Sequence, residues 1–381
     1  MSAAHPGSSS TPDGPAEDGD GPGAASLGWL PEDLAELDAE APPRVPVGRL
    51  VVGALSLLLV VVILAWALPW VAGASWAEIV GTLASLPRWA LPTMALLGAG
   101  ALLLEALTVR AAVPGSRYRE ALLGHAAASG TALALPGGSV LGLGLLAWIL
   151  RRAGIALPVI LTGIIAASLV EMVITSVLVP LLGLGAYALG SALVPAITLP
   201  GALWAALLAV IGAGIVLALT AVLLRRSVLT AVLERLGELV PAHLARGILA
   251  QRDALLEMLR RRPAALVLPT LAARALQWAA LLLAVAAVGA EVPVLLTLAI
   301  FALGRVLSLV PLTPGGAGIT ETVGAAALVA LGVAAADAAA AMLLLLVTML
   351  LVPLLAGALA VLVTFVVLPS RRGGGAQSVS S

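Results

Sequence analysis

Between residues 50 and 368 the chain runs through eight apolar stretches, each at least 20 residues long, and most of its arginines lie in the segments between them. A bilayer core about 30 Å thick takes roughly 20 apolar residues per crossing helix. Inside hydrocarbon every backbone N–H and C=O must find an internal partner, so stretches of this kind become helices. The composition agrees: 61% of residues are hydrophobic and 10% are charged, against roughly 25% charged in an ordinary soluble domain. The expectation is an all-α polytopic membrane protein.

Six stretches read as single crossings: 50–70, 89–109, 156–182, 199–224, 264–288 and 338–368. The remaining two, 121–150 and 292–333, are each about one and a half crossings long. Each breaks near its middle, at Pro136-Gly137-Gly138 and at Pro314-Gly315-Gly316. Arginine decides the threading, because basic residues collect in cytoplasmic loops. If both broken stretches enter and leave by the same face, then Arg44, Arg49, Arg110, Arg117, Arg119, Arg151, Arg152, the 225–262 loop and Arg371/Arg372 all fall inside. Outside remain Arg88, Glu78, Glu291 and Asp337. A full crossing by 121–150 would strand Arg151 and Arg152 outside. The expected layout is therefore six transmembrane helices plus two re-entrant broken hairpins, with both termini cytoplasmic.

The halves also resemble each other. Pro136-Gly137-Gly138 and Pro314-Gly315-Gly316 lie 178 residues apart, as do Gly154-Ile155 and Gly332-Val333. Val179-Pro180-Leu181-Leu182 returns as Val352-Pro353-Leu354-Leu355. An inverted repeat is expected, with repeat A over about 89–224, a cytoplasmic amphipathic loop over 225–262 and repeat B over about 264–368. Within the loop, Leu229, Val232, Leu233, Leu236 and Leu239 share one side. Its eight arginines against four acids suit an interfacial helix near anionic lipid. Residues 1–48 form an acidic cytoplasmic tail, expected to be disordered. Nine acids and no arginine precede Pro43, which leaves 20 arginines against 11 acids in the rest of the chain. That tail lacks the basic start and apolar core of a signal peptide. A second disordered tail covers 371–381.

A break at mid-membrane depth implies a site, since freed backbone groups cost several kcal/mol each unless protein or water satisfies them. Half-helices starting near Ser139 and Gly318 would aim their positive ends at the bilayer centre, where an anionic group is the natural guest. Packing of the two tips against each other as scaffold is the alternative. Buried ionisable residues need a reason of their own, at about 2.5–3.5 kcal/mol each on insertion scales. Arg305 and Glu321 flank the second break, about 10–14 Å from its tip at 1.5 Å per residue, and are placed to pair across the hairpin. Glu171 lies inside the 156–182 stretch and Arg274, with Gln277, inside 264–288. For these four, structural ion pairing and ligand contact stay open. Glu105 reads as snorkelling or pairing with Arg110, and His125 as a cap on the hairpin entrance. The candidate binding set is Pro136, Gly137, Gly138, Glu171, Arg274, Arg305, Pro314, Gly315, Gly316, Gly318 and Glu321.

Other chemistry is thinly represented. No cysteine is present, which excludes disulfides, thiol nucleophiles and thiolate metals. Three scattered histidines, His5, His125 and His243, are too few for a histidine metal centre. The glycines of 315–318 lack the lysine of a phosphate loop. No cofactor, metal, nucleic acid or enzymatic activity is expected.

Residues 133–155 (LALPGGSVLGLGLLAWILRRAGI) and 310–333 (VPLTPGGAGITETVGAAALVALGV) resemble the two signature regions of the lysylphosphatidylglycerol synthase transmembrane region, the flippase-like membrane family. The second region carries the more specific motif, as Pro314, Gly315, Gly316, Gly318 and Glu321. The resemblance implies a membrane domain that handles phospholipid or lipid-linked sugar headgroups, and the absence of lysine with the excess of Ala, Gly and Pro points to GC-rich coding and so to a bacterial inner membrane. The aminoacyl-transfer domain of full-length synthases has no counterpart, so lipid aminoacylation is not implied. The chain departs from the family pattern in having Gly138 and Leu141 where Arg and Glu are usual. Met172 follows Glu171 in place of Arg, and no Arg lies near Thr348. A transporter of such headgroups is the leading expectation. A non-transporting scaffold for an envelope glycosyltransferase is the other.

Overall fold

The computed structural model describes residues 47–135, 138–193, 202–235, 242–308 and 313–367. The two tails, Pro136, Gly137, Leu236 and Leu239 lie outside them. All regular structure among the described residues is helical. Helix α1 covers 47–72, α2 Trp76–Ser85, α3 Ala90–Ala112, α4 Tyr118–Ala134 and α5 Gly138–Arg152. Helix α6 runs over 157–193 and α7 over Ala202–Leu224. Then come α8 Arg226–Arg235, α9 Ala242–Arg261, α10 Pro263–Ala287, α11 Val294–Leu307, α12 Ile319–Ala330 and α13 over 335–367.

Among the described residues, five helices hold runs long and apolar enough to cross a membrane: Val51–Ala72, Ala90–Ala112, Leu157–Ala192, Pro263–Ala287 and Ala335–Phe365. Helix α7 carries a shorter apolar run, Ala206–Val222. The expected sixth crossing falls there, on 17 residues where about 20 span a bilayer core. Leucine, isoleucine and valine on the outward faces are exposed, among them Leu58, Leu96, Ile211 and Leu359. Inward faces are filled largely by alanine and glycine, which let backbones approach in the absence of a hydrophobic drive between helices. Gly130 of α4 meets Gly357 of α13 in this way, a Cβ on Gly130 falling 2.7 Å from the Gly357 Cα.

Among the described residues, three helices pass through a π turn, and each π turn ends two residues before a proline. Ile63–Ala67 precedes Pro69, Ile174–Leu178 precedes Pro180, and Val347–Leu351 precedes Pro353. Proline has no N–H, and its ring crowds the carbonyl four residues back. One extra residue in the preceding turn relieves that crowding without breaking the helix. The N–H of Leu68, Val179 and Val352 each bonds the carbonyl five residues earlier. The Val-Pro-Leu-Leu repeat in the sequence is thus a repeated helix deformation.

Helices α4 and α5 run antiparallel: Gly138 abuts Thr131, Gly142 abuts Ala128, and Gly124 abuts Leu146. Arg117 and Arg119 therefore share an end with Arg151 and Arg152. Helices α11 and α12 turn back likewise, with Gly304 near Thr320 and Gly316 near Ser308. At 17, 15, 14 and 12 residues these four helices are about 18–26 Å long at 1.5 Å per residue. Each is shorter than a bilayer core.

Both hairpins leave through the same kind of C-cap. Gly154 (φ 87°) and Gly332 (φ 90°) are left-handed. The Ile155 N–H bonds back to Leu150 O at 3.3 Å and the Val333 N–H to Leu328 O at 3.1 Å. This is a glycine-closed helix end with a six-to-one hydrogen bond. The packing pairs off in step: α3 lies on α10, α4 on the second half of α13, and α11 on the second half of α6.

Candidate functional site

A cavity of about 580 Å³ lies between the two hairpins, walled by α3, α4, α5, α6, α10, α11, α12 and α13. That is room for about twenty waters or one polar headgroup. Most of its wall is apolar. The polar groups come from seven helices, α3, α4, α5, α6, α10, α11 and α12, whose sequence positions are far apart.

Arg274, in mid-α10 and 6% exposed, is the hub. Its Nη2 donates to Glu105 Oε1 of α3 and, at 2.7 Å, to Glu171 Oε1 of α6. Its Nη1 donates to Gln277 Oε1, one turn along its own helix. Thr175, inside the α6 π turn, donates to the same Glu171 oxygen at 3.1 Å. The second oxygen of Glu105 lies 2.9 Å from His125 Nε2 of α4, and Ser129 Oγ lies 3.4 Å from that nitrogen. Two carboxylates, one guanidinium and one imidazole thus form a continuous chain across α4, α3, α10 and α6.

Two expectations are corrected here. Glu105 does not pair with Arg110, which is exposed; it faces inward and holds Arg274 and His125. His125 does not cap the hairpin entrance, since it sits two turns inside α4, against α3. Arg110 lies nearer to Glu105 along the chain, but the close packing of α3 on α10 brings the buried Arg274 within reach, and a buried acid takes a buried partner.

Glu321 behaves differently from its expected pairing with Arg305. Helix α12 starts only at Ile319, so Glu321 is the third residue of its first turn, not some 10–14 Å from the tip. Its Oε2 accepts from the Gly318 N–H and, at 3.0 Å, from Thr320 Oγ1. A helix start leaves N–H groups unsatisfied and electropositive, and a carboxylate at this position answers both. The carboxylate is 3% exposed and committed to its own helix end. The second break is also wider than a tight Pro-Gly-Gly tip. Helix α11 ends at Leu307, and Pro314–Gly316 form a short 3-10 turn with Gly315 at φ 60° and Gly316 at φ 77°. Both angles are left-handed, a region open to glycine without the Cβ clash.

Arg305, two residues from the end of α11, lines the cavity without a partner. Among the described residues it makes no ion pair or side-chain hydrogen bond, and its Nε is buried and unsatisfied. It lies within electrostatic reach of Arg274, which repels it, and of Glu171 and Glu105, which attract it.

Of the candidate set, Glu171, Arg274, Arg305, Gly315 and Glu321 line the cavity. Gly138, Gly316 and Gly318 are buried close to it without lining it. Gly138 is a packing contact, since any Cβ there would meet the Thr131 carbonyl. Pro136 and Gly137 lie outside the described residues, and the backbone of Pro314 opens the 3-10 turn. Glu105, His125, Ser129 and Thr175 are cavity residues absent from that set. One signal pointed to Glu105: an acid in a run otherwise apolar from Ala99 to Leu107.

These features define a multi-pass helical membrane protein with a charged cavity enclosed by broken hairpins. The family model described as the lysylphosphatidylglycerol synthase TM region matches residues 53–357, most of the chain. The chain belongs to that family. No curated protein matches it.

Proposed function

We infer that the protein carries the headgroup of an anionic phospholipid or lipid-linked glycan across a bacterial inner membrane, with the acyl or prenyl chains remaining in lipid. The observation that carries this reading is Arg305. A guanidinium at membrane depth is costly, and nearly all such groups in natural proteins are paired or face water or a ligand. Here one cation is tied up by Glu105 and Glu171, while a second opens onto a headgroup-sized cavity with no partner of its own among the described residues.

The remaining features support the same reading. Six crossings are counted by adding α7 to the five longer helices, and the two short hairpins are re-entrant. The antiparallel contacts group Arg110, Arg117, Arg119, Arg151, Arg152 and Arg262 at one end, and the positive-inside rule makes that end cytoplasmic. Exposed Trp66, Trp70, Trp76 and Trp89 cluster around the helix ends near Glu78 and Arg88, as residues of an outer interface do. The swap of α3 with α10, α4 with α11, α5 with α12 and α6 with α13 preserves the packing partners. This is the relation expected of two inverted repeats, and it gives a carrier two comparable conformations.

Reconstitution tests the proposal. Liposomes containing the full chain and a trace of fluorescent phosphatidylglycerol or fluorescent lipid-linked sugar are exposed to a membrane-impermeant quencher. Protein-dependent loss of the protected inner-leaflet signal, reduced at least tenfold by Arg305→Ala, is expected. No protein-dependent movement of either lipid would refute the carrier reading.

A further inference from the structure

Anion recognition by Arg305 leaves His125 without a role. Its imidazole lines the same cavity, with Nε2 2.9 Å from Glu105 Oε2 and 3.4 Å from Ser129 Oγ. The charged groups around it come from separate helices. Helix α3 brings Glu105, whose other oxygen takes Arg274 from α10; α6 brings Glu171, α11 brings Arg305, and α12 brings Glu321, whose carboxylate is held by the Gly318 N–H. The other helices against α4 bring no charge to the cavity. Helix α5 contributes Ser139, Leu143 and Leu146, and α13 contributes only apolar side chains there. Helix α1 meets α4 through Gly53 at Leu135.

Imidazole is the side chain whose ordinary titration falls in the physiological range, while carboxylates and guanidinium groups titrate well outside it. With His125 neutral, the Nε2–H donates to Glu105. With His125 protonated, that contact becomes an ion pair and the cavity gains one positive charge. A space of about 580 Å³ is only about 10 Å across. At an effective dielectric near 20, two unit charges that close alter each other's affinity by roughly tenfold. An anion held at Arg305 therefore favours the protonated imidazole, and by linkage the proton favours the anion equally.

We propose that His125 takes up one proton when an anionic headgroup enters at Arg305, so that proton and headgroup occupy and cross the cavity together. This rests on the carrier reading and supplies the driving ion it leaves unspecified: a proton moving down its gradient. The Glu105–Arg274–Glu171 chain is then the fixed frame against which the imidazole titrates, and Ser129 Oγ, near an Nε2 that keeps its hydrogen in both states, can only accept from it.

The test is calorimetric binding of a soluble probe, dihexanoyl phosphatidylglycerol, to the purified full chain from pH 5.5 to 7.5, repeated in buffers of different ionisation enthalpy. At a coupling of roughly tenfold the wild type is expected to bind about fivefold more tightly at pH 5.5 than at 7.5, with uptake peaking near half a proton per lipid. His125→Gln should bind with no pH dependence, and Arg305→Gln should lose binding at every pH. The buffer series counts the proton on the wild type alone, so a poorly folding variant does not block the measurement. Wild-type binding that is flat with pH, or a full pH dependence retained by His125→Gln, overturns the proton coupling and leaves the anion site standing. No binding at any pH overturns both.

Discussion

Replacing Arg274 by methionine isolates the contribution of the charge network to folding. The side chain is 6% exposed and donates to Glu105, Glu171 and Gln277. Methionine keeps most of the volume and removes all three bonds. Breaking a buried pair by deleting one partner costs about 3–5 kcal/mol, because the other charge stays buried. Glu105, with its side chain 14% exposed, bears that penalty, while Glu171, at 40%, is partly solvated and contributes little. A net loss of about 4 kcal/mol corresponds to about 10 °C in Tm for a chain of this size. Intrinsic tryptophan fluorescence of the detergent-purified protein during heating measures it. Neutralising the stranded acid should restore much of the loss, so Arg274→Met with Glu105→Gln is expected within about 2 kcal/mol of the wild type. A single variant that loses less than about 2 °C, or a double variant as unstable as the single, would refute the reasoning.

Further outcomes follow from individual contacts. Gly130→Val sets a branched side chain against backbone atoms, the Gly357 Cα at 2.7 Å and the Pro353 carbonyl at 3.2 Å from a Cβ; it should separate α4 from α13 and abolish monodisperse protein on size exclusion. Gly144→Ala, with open space at its Cβ, should not. Glu321→Ala removes the acceptor for the Gly318 N–H and should cost about 1–2 kcal/mol, read as faster hydrogen exchange over 318–322 with α5 unchanged. In α2, the Ser75 backbone N–H and then its hydroxyl hold the exposed Glu78 carboxyl below its ordinary value. Its folded value being depressed, the cap is in place above the ordinary carboxylate range and is lost as pH falls through the lowered value. First-turn amides of α2 should lose protection relative to Glu78→Gln over that interval, and identical profiles for the two proteins would sink the idea.

The helical membrane class was legible in the sequence because it depends on additive quantities. Twenty apolar residues in a row suffice to span a bilayer, whatever their neighbours. Turn chemistry is similarly local: Gly154 and Gly332 end their helices because of a conformation each residue adopts itself, and the three prolines deform the turn just before them. The breaks near residues 136 and 314 were visible for the same reason.

Partner choice was not legible, because it depends on which faces meet. Glu105 and Arg274 are 169 residues apart, and nothing near either one announces the other. Along the chain, Glu105 has Arg110 a turn away, and Arg305 faces Glu321 across a break that looks like a tight tip. Packing of α3 on α10 reversed the first pairing, and the start of α12 at Ile319 undid the second by placing Glu321 in its first turn. Local dihedrals and hydrophobic length are properties of a segment and can be read one residue after another. The cavity, its unpaired guanidinium and its imidazole come from contacts between segments, and those contacts form only when the close-packed small residues have brought the helices together.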